Sequence, residues 1–302
     1  FVLMPFGKKK DADNNLIEQL VTGHLSDKRW REVFLLVAGL VRAKNGADDL
    51  LLLMEKEAQK YINTPKLQGL LQWADKVTKG SEGDFKLVGK RAAAIAYANS
   101  NYNAKTMTNP YGNAYIFAIA IANLNANAIA NTYSNAIANA IANAIANANA
   151  NANAITINAD AYFNHSYANT YTNANVFITI VISFAQELKK IKIFKEENWT
   201  QLITQLEKLL KESPDADQPE QIHLEFLDRF LDTWCHALHL NPEIVKLSKE
   251  EAEALEAYLY ANHLMIQCKE AAVRISAKTW EEIESRMLVV PENSTIWDDR
   301  FG

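Results

Sequence analysis

The chain has 302 residues, enough for two ordinary domains, and its hydrophobic fraction of 49% is that of a globular protein. The formal net charge of −5 gives no support for nucleic-acid binding, which needs a clear excess of Lys and Arg. The two cysteines, Cys235 and Cys268, are too few for a disulfide framework, and a reducing cytoplasm is the expected compartment.

The start of the chain does not have the pattern of an export signal. Phe1–Phe6 is apolar and Lys8–Lys10 follows it, whereas a secretory signal places its charge first. Two further apolar runs, Tyr115–Ala122 and Val176–Phe184, are shorter than the ~20 residues needed to span a bilayer. The first residue is not Met, which indicates a fragment, a processed product or an engineered chain. We expect a soluble cytoplasmic protein without membrane contact.

Composition divides the chain into segments. Residues 92–181 contain 27 Ala and 21 Asn but two charged residues, Lys105 and Asp160. This contrast marks a low-complexity repeat between two conventional segments. We expect four segments along the chain: an N-terminal remnant at 1–20, a helical segment at 21–91, the Ala/Asn repeat at 92–185 and a C-terminal helical domain at 186–302.

The N-terminal segment shows helical spacing of its apolar residues. Ser26 is the expected cap of a helix that ends at Arg42. The apolar face predicted for this helix consists of Trp30, Val33, Phe34, Val37, Leu40 and Val41. Asp48 opens a second predicted helix, which contains Leu50–Met54.

Thr64 and Pro65 form a cap and first-turn pair for a third predicted helix. Its inward residues are Leu67, Leu70, Leu71 and Trp73. Gly80, Gly83 and Gly89 are then expected to close the segment as a loop.

The C-terminal segment begins with two predicted helices and a linker. Asn198 caps the first, whose apolar residues are Trp199, Leu202, Ile203, Leu206, Leu209 and Leu210. Ser213–Pro219 reads as the linker, and the second helix runs from Pro219 to Leu240. One face of the second helix holds Ile222, Phe226, Leu227, Phe230, Leu231, Trp234 and Leu238.

Two more helices complete the prediction. Ser248 and Glu251 have the spacing of a capping box for a helix over Lys249–Ala271. The last helix is expected over Lys278–Leu288, with three inward residues: Trp280, Ile283 and Met287. Nothing in this segment alternates like a strand, so the fold class predicted outside the repeat is all-α.

The repeat allows two interpretations. Ala at nearly every second position from Asn123 to Ile157 suits a strand, whereas Ile137, Ile141 and Ile145 lie four apart, as on a helix. Ala is the best helix former and Asn is depleted in strands, so we favour a helical or solenoid-like repeat. The β-branched runs Thr170–Thr172 and Val176–Ile182 are the strand candidates.

No catalytic, cofactor-binding or metal-binding residue is predicted. Gly83–Arg91 resembles a phosphate-binding loop, but it has five residues between its glycines instead of four, and Arg replaces the hydroxyl residue. Cys235, His236 and His239 cluster on one predicted helix, with Cys235 and His239 on one face. That is at most half a zinc site, and no second pair stands nearby. Nucleophile motifs such as Gly-x-Ser-x-Gly do not occur. We therefore expect that the chain is not an enzyme.

Two blocks resemble a known family. His24–Leu40 with Asp48–Met54 resembles the helical region after the ATPase core in bacterial, largely cyanobacterial, NACHT-domain proteins of the STAND class. Leu259–Ser276 with Glu281–Leu288 resembles their C-terminal helical domain. The resemblance covers about residues 21–91 and 186–291. Phe1–Asp13 resembles the opening strand and turn of TIR-like or deoxyribosyltransferase-like effector domains.

Family members are ATP-dependent switches, often in antiphage defence, that sense a signal on the C-terminal side. The resemblance therefore implies a regulatory or sensing region that works through protein partners. The P-loop and the magnesium-binding acid motif of the core are absent, so ATP hydrolysis is carried over to no residue. Two alternatives stay open: a structural or self-assembling scaffold built on the Ala/Asn repeat, or an artificial or recombined chain without evolved activity. The signal and the oligomeric state are not predicted.

Overall fold

The computed structural model describes residues 10–41, 46–106, 124–133, 179, 182–183, 185–195, 199–214, 218–245 and 247–290. Its described residues form helices, turns and bends, and none of them is in a strand. This confirms the mainly all-α prediction. Over the same residues no helix is both long and apolar enough to cross a membrane.

Residues 179, 182–183 and 185–190 are helical. The other α-helices formed by the described residues are numbered in chain order. They are α1 (Lys10–His24), α2 (Arg31–Leu40), α3 (Asp48–Gln59), α4 (Pro65–Thr78), α5 (Leu87–Thr106), α6 (Leu124–Tyr133), α7 (Trp199–Lys211), α8 (Glu220–Ala237), α9 (Pro242–Val245), α10 (Lys249–Ala271) and α11 (Ala277–Arg286). A short 3₁₀ helix, Lys28–Trp30, precedes α2.

The chain packs into two units. The first unit takes its described residues from 10–63 and 254–287, and the second takes its described residues from 64–253 and 288–290. The first unit therefore joins residues from both blocks that resemble NACHT-associated proteins. The segment boundaries predicted from composition are not tested by this division and stay predictions.

The core of the first unit is made of apolar side chains from α1, α2, α3, α10 and α11. Its fully buried members include Val21, Phe34, Leu50, Leu51, Met54, Tyr258, Leu259, Leu264 and Ile283. The core of the second unit is an aromatic cluster around Tyr97, with the Trp234 ring centroid at 5.1 Å and the Trp199 centroid at 5.9 Å. Trp73 joins the same unit by donating its indole N–H to the Leu238 carbonyl at 2.9 Å.

Several predicted helices are confirmed. α3 begins at Asp48, and α10 has the bounds Lys249–Ala271 that the spacing predicts. The capping box is formed in both directions: the Ser248 N–H donates to Glu251 at 2.8 Å and the Glu251 N–H donates to Ser248 Oγ at 3.2 Å. The Leu67 N–H donates to Thr64 Oγ1 at 3.4 Å, at the start of α4.

Other expectations are wrong at particular residues. Asp27, not Ser26, caps the chain before α2, because its carboxylate accepts the Arg29 N–H. Gly89 lies inside α5 instead of a loop. Leu40 is 62% exposed, since the buried side of α2 carries Phe34 and Ala38. Residues 10–13 open α1, where an effector-like strand and turn were expected; Phe1–Lys9 lies outside the described residues.

The repeat is described in part. α6 and its neighbour α5 are helical, as favoured, but residues 134–178 lie outside the described residues, as does the strand candidate Thr170–Thr172. In the second strand candidate, Thr179 and Ile182 are described and both are helical, so a strand is wrong at those two positions.

Candidate functional site

The described surface contains an open groove in the second unit, between α7 and α8 and next to the start of α9. Its volume is about 890 Å³. The residues that line it are Gln205, Lys208, Leu209, Glu212, Arg229, Asp232, Thr233, Cys235, His236, His239, Leu240, Asn241 and Pro242. We call it the α7–α8 groove.

Amphipathic spacing positions the two walls of the groove. α7 buries Trp199, Leu202, Leu206 and Leu209, which leaves Gln205 and Lys208 on its outer side. In the same way, α8 buries Phe226, Phe230 and Trp234 and leaves Arg229 and His236 exposed or partly exposed. The apolar stripes therefore turn the polar side chains of both helices toward solvent.

One acidic residue ties the walls together at one end. Glu212, just past the end of α7, accepts a hydrogen bond from Arg229 Nη2 of α8 at 2.9 Å. Lys208 Nζ lies 3.8 Å from the other carboxylate oxygen of Glu212. All three side chains are more than a third exposed, so these ion pairs contribute little to stability. They give the rim a mixed charge.

The other end of the groove carries two exposed imidazoles, from His236 and His239. His239 lies beyond the end of α8 with φ at 50°, in the left-handed region. The Leu240 N–H donates to the Cys235 carbonyl at 2.8 Å and the His239 N–H donates to the His236 carbonyl at 3.1 Å. This is the hydrogen-bond pattern of a Schellman helix end, in which Gly is the usual residue.

The cluster of Cys235, His236 and His239 was predicted to lie on one helix, and that prediction is wrong for His239. Cys235 is 1% exposed, whereas both histidines are exposed. In the part of the chain that the structure describes, no group of three or more His, Cys, Asp or Glu side chains is placed to hold a metal ion.

The phosphate-loop-like segment uses its basic side chains internally. Lys90 Nζ donates to the Ser81 carbonyl at 3.0 Å and lies 5.4 Å from the centroid of the Phe85 ring. Burial lowers the pKa of Lys90. Arg91 Nε and Nη2 each lie 2.7 Å from Asp75 Oδ1. Lys90 therefore ties α5 to the loop at Ser81, and Arg91 ties α5 to α4.

Sequence reasoning missed a second polar cluster, which lies in the first unit. Asp48 was predicted only to open α3, but its carboxylate accepts two hydrogen bonds from the start of α11, from the Ser276 N–H at 2.9 Å and from Thr279 Oγ1 at 3.0 Å. Arg286 makes a two-point ion pair with Glu55, with Nε–Oε1 and Nη2–Oε2 both at 2.8 Å. These partners are 228 to 231 residues apart. Helical periodicity relates residues three or four apart, so it does not predict such pairs.

A known family model matches part of the chain. Residues 202–290 match the family model described as NACHT C-terminal Helical domain 2. The match supports a NACHT-associated helical domain in this part of the chain, as the resemblance of Leu259–Ser276 and Glu281–Leu288 implied. No significant match is found among curated proteins or among solved structures. The matched stretch includes the whole α7–α8 groove and continues through α11.

Proposed function

We propose that this chain is a non-catalytic regulatory or sensing region of a NACHT-type signalling or antiphage defence protein, working in the cytoplasm through protein partners. The match of residues 202–290 to a NACHT C-terminal helical domain is the observation that carries the proposal. An all-α scaffold with an open groove suits a region that docks other proteins.

The α7–α8 groove is the proposed docking surface. Its rim alternates cations and anions, with Lys208 and Arg229 beside Glu212 and Asp232, and its floor contains buried Leu240. An apolar floor within a polar rim is the usual anatomy of a protein–protein interface. No residue of the chain is assigned a catalytic role in this proposal.

A capture experiment tests the proposal. The tagged full chain is incubated with lysates of phage-infected and uninfected bacteria, beside the double variant Arg229→Ala/His236→Ala. The matched control is Lys249→Ala/Glu253→Ala, which removes an exposed pair 3.8 Å apart on α10. We expect a partner that the wild-type chain and the control retain only after infection and that the groove variant loses. Retention by the groove variant would contradict docking at this groove.

A titration tests the absence of catalysis. Because no nucleotide-binding residue is proposed, isothermal titration of the full chain with ATP and magnesium is expected to give no binding heat. Tight, magnesium-dependent binding of ATP would contradict the proposal.

A second candidate is a structural role for the Ala-rich segment. The described contact between α5 and α6 favours it, because Ala93, Ala96, Ala126, Ile129 and Ala130 are all fully buried. Self-association of the full chain that increases with concentration in sedimentation equilibrium, and that weakens in Gly89→Val, would support this role over the first.

A further inference from the structure

In the first unit, two polar clamps hold α11 against α3. One clamp is the Asp48 carboxylate, which accepts the Ser276 N–H and the Thr279 hydroxyl. The other is the ion pair of Glu55 with Arg286. The Glu55 side chain is 3% exposed and that of Arg286 is 32% exposed, so water screens this pair far less than a surface pair.

The clamps are placed two helical turns apart. Asp48 and Glu55 are seven residues apart on α3, which puts them on one face. The partners of Asp48 lie at the start of α11 and Arg286 is its last residue. The start of α3 meets the start of α11, and Glu55, two turns along α3, meets the last residue of α11. The two helices therefore run parallel, and α11 is held at both ends.

The loop before α3 fits closely against the connection before α11. The Ala47 N–H donates to the Arg274 carbonyl at 3.0 Å. Gly46 has φ at 62°, and a Cβ at this position would lie 2.2 Å from the Arg274 carbonyl oxygen. Only glycine allows this approach, so the contact adds a third fixed point beside the Asp48 clamp.

The contacts within α11 are short-range: Trp280 Nε1 donates to Glu284 Oε1 at 3.1 Å, and Arg286 Nη1 lies 4.0 Å from Glu282 Oε2. The helix has ten residues, and isolated helices shorter than about 12–15 residues are marginal in water. Within it two side chains are buried, Trp280 and Ile283. In its own cap the Thr279 N–H donates to Ser276 Oγ over a long distance of 3.4 Å. α11 therefore depends on neighbouring helices, through Lys269 of α10, whose Nζ lies 5.8 Å from the Trp280 ring centroid, and through the clamps from α3.

We propose that α3 and α11 form a latch, by which the N-terminal helical segment controls whether the last helix of the NACHT-associated stretch is docked. Release of Asp48 and Glu55 lets α11 unfold locally and exposes Trp280 and Ile283, while the rest of the unit stays folded. The matched stretch 202–290 contains α11 but not α3. The last helix of the match therefore packs against a helix that lies outside the match. The latch does not depend on the α7–α8 groove, and its failure leaves the proposed function untouched.

Hydrogen exchange of the full chain, followed by mass spectrometry, tests the latch. Asp48→Ala removes the acceptor of both N-terminal hydrogen bonds, and we expect exchange in residues 277–287 to accelerate at least about tenfold, because hydrogen bonds to charged groups are the strong ones. The matched control is Asp49→Ala, since Asp49 is the next acidic residue of α3 and makes neither of these bonds. Equal acceleration in both variants would overturn the latch.

A second variant separates local release from general unfolding. Arg286→Met breaks the C-terminal clamp and keeps an apolar side chain of similar length. We expect residues 277–287 to accelerate by a larger factor than α1 and the buried centre of α10, residues 258–266, whose exchange rises only with the loss of global stability. If α1 and α10 accelerate as much as α11, the unit opens as a whole and the latch is wrong.

Discussion

Two helix pairs in this chain are held together by opposite means. α5 and α6, in the second unit, meet through small residues: a Cβ on Gly89 would lie 2.8 Å from the Cβ of Tyr133. α3 and α11, in the first unit, meet through clamps that use the Asp48 and Glu55 carboxylates, one at each end of α11. The first pair is sensitive to volume and the second to charge. The two kinds of contact therefore respond to different substitutions.

The largest expected effect is in the clamped pair. Arg286→Met leaves the buried Glu55 carboxylate without its two-point partner. Breaking a fully buried pair costs 3–5 kcal/mol, and because Arg286 is about a third exposed we expect a loss of about 2–3 kcal/mol in the free energy of unfolding. Urea denaturation measures it. The double variant Glu55→Gln/Arg286→Met is expected to lose less than Arg286→Met alone, because no buried charge is left; a larger loss would contradict the clamp.

The close-packed pair should respond to a single methyl group. Gly89→Ala forces α5 and α6 apart, and we expect a net loss of about 1–2 kcal/mol despite the better helix propensity of Ala. Gly23→Ala is the matched control. Gly23 lies in α1 with nothing within 4 Å of the added Cβ, so the same change is expected to gain up to about 0.5–1 kcal/mol. Thermal unfolding of both variants gives the signs, and the same sign in both would refute the close contact.

The helices that sequence predicted well are those whose signals are local. The Thr64 cap, the Ser248–Glu251 capping box and the full span of α10 follow from residues three or four apart. The helix α1 was missed because Asp11, Asp13, Asn14 and Asn15 disfavour helix, and its contact with α3 overrides that propensity.

The functional surfaces were less predictable. His236 and Cys235 were picked out as neighbours, but the groove exists because α7 packs against α8, which also brings Glu212 beside Arg229. Asp48 was identified as a helix start, and its acceptance of hydrogen bonds from α11 has no local signal. Pairings across more than 200 residues depend on the fold, so one sequence does not reveal them.

A third prediction concerns pH and the contact of α2 with α10. Arg31 Nε donates to Gln267 Oε1 at 2.9 Å, and Gln267 Nε2 lies 3.3 Å from His263 Nε2. Burial, and then the charge of Arg31, lower the pKa of His263 from 6.5, while Glu270 raises it.

The lowered pKa of His263 determines how stability changes with pH. The folded state binds a proton at His263 less readily than the unfolded chain, so the stability is fully present above pH 6.5 and is lost as the pH falls below it. Urea denaturation between pH 7.5 and 5.5 should show this decline, by less than the loss in Arg286→Met. His263→Gln should flatten the decline, and an unchanged slope in that variant would show that other groups cause it.

The smallest effect is expected for the surface pair of Lys28 and Glu256. Its comparison with the pair of Glu55 and Arg286 tests whether burial makes an ion pair strongly stabilising. In the surface pair the Nζ–Oε1 distance is 2.8 Å and the partners are 228 residues apart, which nearly equals the values for Glu55 and Arg286. Its side chains are 65% and 55% exposed, where Glu55 is 3% exposed. Glu256→Gln should therefore change the free energy of unfolding by less than about 0.5 kcal/mol. A loss equal to that of Arg286→Met would mean that long-range pairing itself, and not exclusion of water, makes the clamp strong.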